Sequence, residues 1–128
     1  LQVGNGSLDT GSNYSNTRCW TQGYEPASDQ QRGMDGIDRL LTAGDNATAG
    51  TFSAHYVWIP NYTSSDYKPI LTRSMLQSYT TSGNEWGTDV VAGLWKSTSV
   101  ITNVGVHVNT GGDIAEFSTF TMWGILGV

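Results

Sequence analysis

Apolar and polar positions alternate with a period of two along most of the chain, as in β-strands that place one face against a core. The cleanest alternation runs from Val100 to Val108, and we expect one face of that strand to be core. Residues 52–59 carry aromatic side chains on one phase and include Val and Ile on the other, which predicts a strand covered on both faces. Pro60 removes a backbone donor and ends this strand.

Two further strands carry specific expectations. Residues 14–24 alternate well enough to predict a strand with Trp20 or Cys19 pointing inward. Residues 89–97 resemble a buried strand, and Gly93 within it predicts a bulge or the close approach of another segment.

The remaining segments extend the same β pattern. Strands are predicted at 69–79 and 114–125, with turn-forming residues at 82–87, and the entry segment 1–13 has room for one short strand. The only helical spacing lies within residues 37–41, where flanking glycines allow two turns at most. Six to eight strands without crossover helices predict a single antiparallel β-sandwich domain over residues 1–128, jelly-roll-like in topology.

Composition narrows the class of protein. Ser, Thr, Asn and Gly supply 53 of the 128 residues, whereas only six basic and eleven acidic residues are present. The net charge of −5 and scattered basic residues oppose nucleic-acid binding, because that binding depends on clustered Lys and Arg. No apolar run is long enough to span a membrane, so membrane insertion is not expected.

The ends of the sequence and its single cysteine add two expectations. Cys19 has no second cysteine to pair with, so the fold must form without an intrachain disulfide. The chain begins Leu-Gln-Val, which we interpret as a fragment or a processed product, such as the C-terminal domain of a longer protein.

Residue types for catalysis are sparse, and no enzyme activity, cofactor or metal is predicted. His55 and His107 fall mid-strand, where a solvent-side or hydrogen-bonded histidine is the ordinary interpretation and a catalytic role the alternative. Acidic residues close enough in sequence for glycoside hydrolysis lie in turn-like contexts, where Asp is favoured for local hydrogen bonding. These pairs are Asp35 and Asp38, Glu85 and Asp89, and Asp113 and Glu116.

Aromatic residues in predicted loops and turns are the strongest candidates for binding. Amphipathic rings at loop tips stack on sugars or anchor protein interfaces, while the alternative is that they cap the ends of the sandwich. The candidate glycan or receptor contacts are Tyr62, Tyr67, Tyr79 and Trp86.

Three ordered segments resemble a β-sandwich domain found toward the C-termini of bacteriophage virion proteins, particularly tail fibres and tailspikes. They are AHYVWIPNYTSSDYKPIL (54–71), GLWKSTSVITNVGVHV (93–108) and FSTFTMWGI (117–125), and LDTGSNYS (8–15) is similar to the entry strand and turn of that family. Together they cover roughly the last 75 residues, with a further match near the start.

The resemblance implies a non-enzymatic host-recognition module on the surface of a virion assembled in the bacterial cytoplasm. Its expected partners are two further copies in a homotrimer, other virion proteins, and a bacterial surface glycan or protein receptor. A capsid decoration or fibre protein is an alternative within the virion class. A carbohydrate-binding or lectin-like domain of a secreted enzyme is the competing hypothesis, and a glycan hydrolase or esterase ranks third.

Overall fold

The computed structural model describes residues 1–22, 25–38, 40, 51–77, 86–107, 113–114 and 116–125. This part of the chain contains strands and no helix, so the all-β, antiparallel fold class is confirmed. The strands are β1 (Gln2–Gly4), β2 (Tyr14–Gln22), β3 (Glu25–Met34), β4 (Phe52–Trp58), β5 (Lys68–Gln77), β6 (Trp86–Trp95) and β7 (Asn103–Gly105).

The strands form two antiparallel sheets, an arrangement consistent with a β-sandwich. The larger sheet has the order β3-β2-β6-β5-β4, and the smaller pairs β1 with β7. The larger sheet consists of a β2–β3 hairpin and a β4–β5–β6 meander, joined by the pairing of β2 with β6. A jelly-roll topology is not confirmed, because the described strands divide five to two rather than into two similar sheets.

One face of the five-stranded sheet, the inner face, carries the core. Tyr14, Ile70, Val91 and Trp95 are buried on it, and their positions share one phase of the strand registers. The core is completed by side chains from the small sheet and the segments beside it: Leu1, Val3, Ile37 and Ile101. The opposite face of this sheet, the outer face, carries the alternate residues of each strand, which do not contribute to the core.

β3 and β4 are the two edge strands of the sheet. Ile37, three residues after β3, lies against β6, the middle strand. A Cβ atom on Gly93 of β6 would lie 2.6 Å from Ile37 Cδ1, so glycine is needed for Ile37 to sit this close. Gly93 therefore marks a close approach, one of the two expectations for that position. The amino group of Leu1 donates to Ile37 O at 2.8 Å, and the Ile37 N–H donates to Leu1 O at the same distance.

Tyr14 joins the two sheets through its hydroxyl group. This oxygen accepts a hydrogen bond from Val3 N at 3.0 Å and donates to Val3 O at 2.7 Å, so one side chain pairs both backbone groups of a fully buried residue. Burial raises the pKa of the Tyr14 phenol further above neutral pH, so the hydroxyl stays a donor even in mildly alkaline solution. The small sheet is thus held to β2 by a hydrogen bond pair as well as by packing.

Two sequence-based strand predictions need correction. The Val100–Val108 strand reduces to β7, three residues long. The strand predicted over 114–125 is absent from the described residues 116–125, whose side chains are exposed. Both stretches have a β pattern, but no neighbouring strand pairs with them over their predicted length, and a strand needs such a partner.

Predictions about which faces are covered also change. β4 is an edge strand with Phe52 and Tyr56 exposed, so the expectation that it is covered on both faces is wrong for this chain on its own. In β2, the buried phase contains Tyr14 and Arg18, which places Cys19 on the exposed phase and Trp20 on the inner one. Ile37 is buried without forming a helix.

The sequence analysis did not predict β3. Its ten residues, EPASDQQRGM, are mostly polar and include a proline, so they lack the apolar alternation of a strand. It forms as an edge strand paired with β2, and Gly33, at φ 66°, supplies the extra residue of a bulge opposite Tyr14 and Ser15. The predicted turn at 82–87 lies mostly outside the described residues.

Removing the Tyr14 hydroxyl tests its role in joining the sheets. We expect Tyr14→Phe to lower the free energy of unfolding by about 1–3 kcal/mol, since it leaves the buried N–H of Val3 unpaired while Val3 O keeps its hydrogen bond from Asp9 N. Urea unfolding followed by tryptophan fluorescence measures this change. The exposed Tyr67→Phe is the matched control and should change stability by less than about 0.5 kcal/mol. Equal effects of the two variants would contradict the role given to Tyr14.

The carboxylate of Asp9 should make stability depend on pH. A hydrogen bond from the Trp95 indole, at 2.8 Å, is the main reason that the pKa of Asp9 lies below its usual 3.8. Desolvation opposes it as the next largest effect, and bonds from Gly11 N and Asn13 Nδ2 lower the pKa further. A lowered pKa stabilises the fold above pH 3.8, and this contribution disappears as the pH falls through the folded-state pKa.

We therefore expect Asp9→Asn to cost about 1 kcal/mol at pH 7 and to flatten the loss of stability between pH 5 and pH 2.5. Urea unfolding of both proteins across this range gives the comparison. Parallel pH profiles for Asp9→Asn and the unsubstituted chain would show that Asp9 does not contribute in this way.

Candidate functional site

The outer face of the five-stranded sheet exposes large apolar side chains. On β4, Phe52, Tyr56 and Trp58 are 79%, 53% and 40% exposed, and they are continued across the sheet by Met75 on β5 and Val90 on β6. The strand registers place all five on one phase. A monomeric protein rarely exposes a contiguous apolar patch of this kind unless something binds to it.

A shallow groove lies at the β4–β5 margin of the outer face. Its walls are Tyr56, Trp58, Leu71 and the stem of Arg73, and the registers pair Tyr56 with Arg73 and Trp58 with Leu71. Among the described strand residues, Arg32 and Arg73 are the only charged side chains of the outer face. A protein of net charge −5 thus presents a face that is apolar and positively charged.

The C-terminal segment, residues 116–125, is the second exposed apolar feature. It follows Asp113 and Ile114 and has no regular secondary structure. Five of its side chains are between 66% and 90% exposed: Phe117, Phe120, Met122, Trp123 and Ile125. The outer face and this segment together hold ten of the fifteen exposed large hydrophobic residues in the described part of the chain.

The tyrosine loop, residues 59–67 between β4 and β5, carries two of the predicted contact residues. Tyr62 and Tyr67 are 39% and 55% exposed. Backbone hydrogen bonds hold the loop: Ser64 N donates to Asn61 O at 3.0 Å, and Ile101 N donates to Tyr62 O at 2.9 Å. The structure thus brings these two tyrosines into one hydrogen-bonded loop at one end of the sheet.

The other two predicted contact residues do not join this loop. Tyr79 lies outside the described residues. Trp86 begins β6, where its backbone pairs with Gln77 at the far end of β5. Ten residues of β5 separate that end from the tyrosine loop, a length of about 30 Å. A single stacking platform shared by Tyr62 and Trp86 is therefore not formed within one chain.

The inner face has a polar half built around Arg18. The Arg18 side chain is 3% exposed; its Nε donates to Asp29 Oδ1 at 2.7 Å, its Nη1 lies 3.7 Å from Asp89 Oδ2, and its guanidinium carbon stacks 3.8 Å from the ring centroid of Trp20. Asp89 itself is 1% exposed. Arg18 therefore places a cation beside this buried carboxylate.

Two further polar side chains of the inner face are buried without a hydrogen-bond partner among the described residues. They are the amide of Asn16 and the hydroxyl of Thr72. Buried polar groups normally form hydrogen bonds. The polar groups in this half of the inner face are therefore less completely hydrogen-bonded than those in the apolar half around Tyr14. It stabilises the fold through the ion pairs and the stacked ring rather than through apolar packing.

One row of the inner face contains the residue types of a hydrolase triad in a different order. The registers place Ser74 between Asp89 and His55, whereas a triad needs the histidine between the other two. The recorded hydrogen bond of His55 joins its Nε2 to Ser53 Oγ at 3.2 Å, and partial burial lowers the pKa of this histidine. The order of residues along this row therefore differs from that of a hydrolase triad.

Other candidate chemistry is limited in the part of the chain that the structure describes. It contains no group of three or more His, Cys, Asp or Glu side chains that could hold a metal ion. Cys19 is exposed on the outer phase of β2. Of the acidic pairs, Glu85 lies outside the described residues, while Asp35 and Asp113 are exposed. No helix there is long and apolar enough to cross a membrane.

We compared the chain with known protein families, curated proteins and solved structures. No family model matches the chain, and no match was found among curated proteins or solved structures.

The sequence analysis missed the outer face as a candidate site. Its signal was present in the aromatic phase of β4, where Phe52, Tyr56 and Trp58 recur at every second or fourth position. Alternation alone cannot distinguish a face covered within the chain from one left for a partner, so this phase was assigned to the core.

Substituting Arg18 tests the buried ion pair. We expect Arg18→Met to lower the free energy of unfolding by about 3–5 kcal/mol, because it retains an apolar stem over Trp20 but removes a cation that lies 3.7 Å from the buried Asp89 carboxylate. Adding Asp89→Asn should recover part of this loss in the double variant. Chemical unfolding of the three variants gives the coupling. If Arg18→Met costs less than about 1 kcal/mol, the ion pair does not stabilise the fold.

Proposed function

We propose that this chain is a non-enzymatic structural module of a bacteriophage virion, part of a host-recognition appendage such as a tail fibre or tailspike, and that it works as a homotrimer. The observation that carries the proposal is the outer face, where Phe52, Tyr56, Trp58, Met75 and Val90 are exposed in the single chain. Contiguous exposed apolar area on a sheet supports a neighbouring subunit as its cover.

Composition and the family resemblance support the virion assignment. The chain has 13% charged residues, low for a soluble domain, and is rich in Thr and Val, which favour strands. Its fold uses no intrachain disulfide, which suits assembly in a reducing bacterial cytoplasm before display on the virion surface. The three segments with the phage-like pattern include both the tyrosine loop and the C-terminal segment.

Host contact is assigned to the tyrosine loop. Tyr62 and Tyr67 present amphipathic rings that can stack on a sugar while their hydroxyls hydrogen-bond to it. The backbone hydrogen bond from Ile101 N to Tyr62 O holds the loop before any ligand arrives, and a preorganised loop loses less entropy on binding. The ligand class is a bacterial surface glycan or the exposed part of a surface protein.

The same loop also supports the competing function, a carbohydrate-binding module of a secreted enzyme. Such a module would use Tyr62 and Tyr67 in the same way but would act as a monomer. A capsid decoration protein would share the oligomer and need no glycan. Oligomeric state and glycan binding together therefore separate the three functions.

The test combines a solution mass with a glycan array. We expect sedimentation to give three times the chain mass, and an array of bacterial surface glycans to show binding that falls at least tenfold in Tyr62→Ala/Tyr67→Ala. Thr63→Ala, an exposed neighbour in the loop, should bind like the unsubstituted chain.

A monomer that binds plant or microbial polysaccharide would favour the carbohydrate-binding module. An oligomer with no glycan or host-cell binding would favour decoration, and glycan cleavage would overturn the non-enzymatic assignment.

A further inference from the structure

We propose that the C-terminal segment of one copy docks on the outer face of the next copy, along the β4–β5 margin, and that this contact assembles the oligomer. The inference rests on the proposed function in assuming self-association, and it names the surfaces that make the contact. Both surfaces belong to the same chain, and each exposes apolar side chains that the described part of that chain leaves uncovered.

The two surfaces match in length and apolar character. Residues 116–125 in an extended conformation span about 33 Å, the length of the ten-residue strands β5 and β6. An extended chain places Phe117, Trp123 and Ile125 on one side and Phe120 and Met122 on the other, so either side of the segment can bury apolar area against the sheet.

The two surfaces also match in charge. Arg73 lines the groove beside Tyr56, Trp58 and Leu71, and the outer face has no acidic side chain among its described strand residues. The chain from residue 113 to 125 has two acidic residues, Asp113 and Glu116, and no basic one. Glu116 immediately precedes Phe117, so the segment offers a carboxylate beside an aromatic ring to a groove that combines apolar walls with a cation.

The position of the segment favours a second copy over its own outer face. The segment follows β7, which belongs to the small sheet packed on the inner face, the opposite side of the five-stranded sheet. Its apolar side chains remain largely exposed in the single chain. A contact between two different patches of identical chains is heterologous, and such contacts close into a ring when the rotation allows, as in a trimer.

Complementation between two full-length variants tests the contact. The segment variant is Phe120→Asp/Trp123→Asp, and the face variant is Tyr56→Asp/Met75→Asp; all four positions are exposed, and circular dichroism checks that both variants fold. Each variant alone should sediment as a monomer. Their mixture should form a 1:1 dimer, because the face variant supplies an intact segment and the segment variant supplies an intact face.

A charge swap provides a second measurement on the same contact. Arg73→Glu and Glu116→Arg should each weaken self-association about tenfold, and the double variant should recover most of it. Repulsion in each single variant and its removal in the double variant are the expected signature.

The outcomes separate the inference from the proposed function. If the unsubstituted chain is monomeric at all concentrations, self-assembly itself is overturned, and the inference with it. If the unsubstituted chain is oligomeric but the mixed variants stay monomeric, only the docking of the segment is overturned. A segment variant that remains oligomeric would show that two outer faces pair with each other, and would also overturn the inference.

Discussion

The hydroxyl of Tyr14 is the contact on which the arrangement of the two sheets depends. A three-residue strand such as β1 cannot be held by ladder hydrogen bonds to β7 alone, because a two-stranded ribbon is marginal in water. By pairing with both backbone groups of Val3, Tyr14 fixes β1 over the inner face, where Trp95 and Ile70 complete the core. The reciprocal bonds between Leu1 and Ile37 then hold Ile37, three residues after β3, in the same core.

This arrangement uses only one face of the five-stranded sheet. The inner face combines an apolar half around Tyr14 with a polar half around Arg18, whose ion pairs compensate the burial of Asp89. The outer face and the C-terminal segment have no equivalent partner in the described chain, although both are rich in aromatic side chains. The division explains why the chain can fold as a unit and still have apolar area available for assembly.

Local patterns predicted the all-β class and most of the larger sheet. Alternation located β2, β4, β5 and β6, and Gly93 indicated the approach that Ile37 makes. The polar strand β3 was not predicted, because its stability comes from pairing with β2 and from the Arg18–Asp29 ion pair, which a local sequence pattern does not show. Burial was harder to predict than strand position: the aromatic phase of β4 has the pattern of a core, and only the packing of the small sheet on the opposite face leaves these side chains exposed. The tyrosines of the tyrosine loop were predicted as contact residues from residue type alone. Identifying the outer face as a site also required the strand registers, which show that its apolar side chains lie on one face.

We propose that the inner face is stabilised within the chain and the outer face between chains. Hydrogen exchange of the intact chain, measured by mass spectrometry at low and high protein concentration, can distinguish the two faces. We expect amides of β2 and β6 to be equally protected at both concentrations, while those of β4 and residues 116–125 gain protection as concentration rises. Exchange in β4 and the C-terminal segment that does not change with concentration would contradict it.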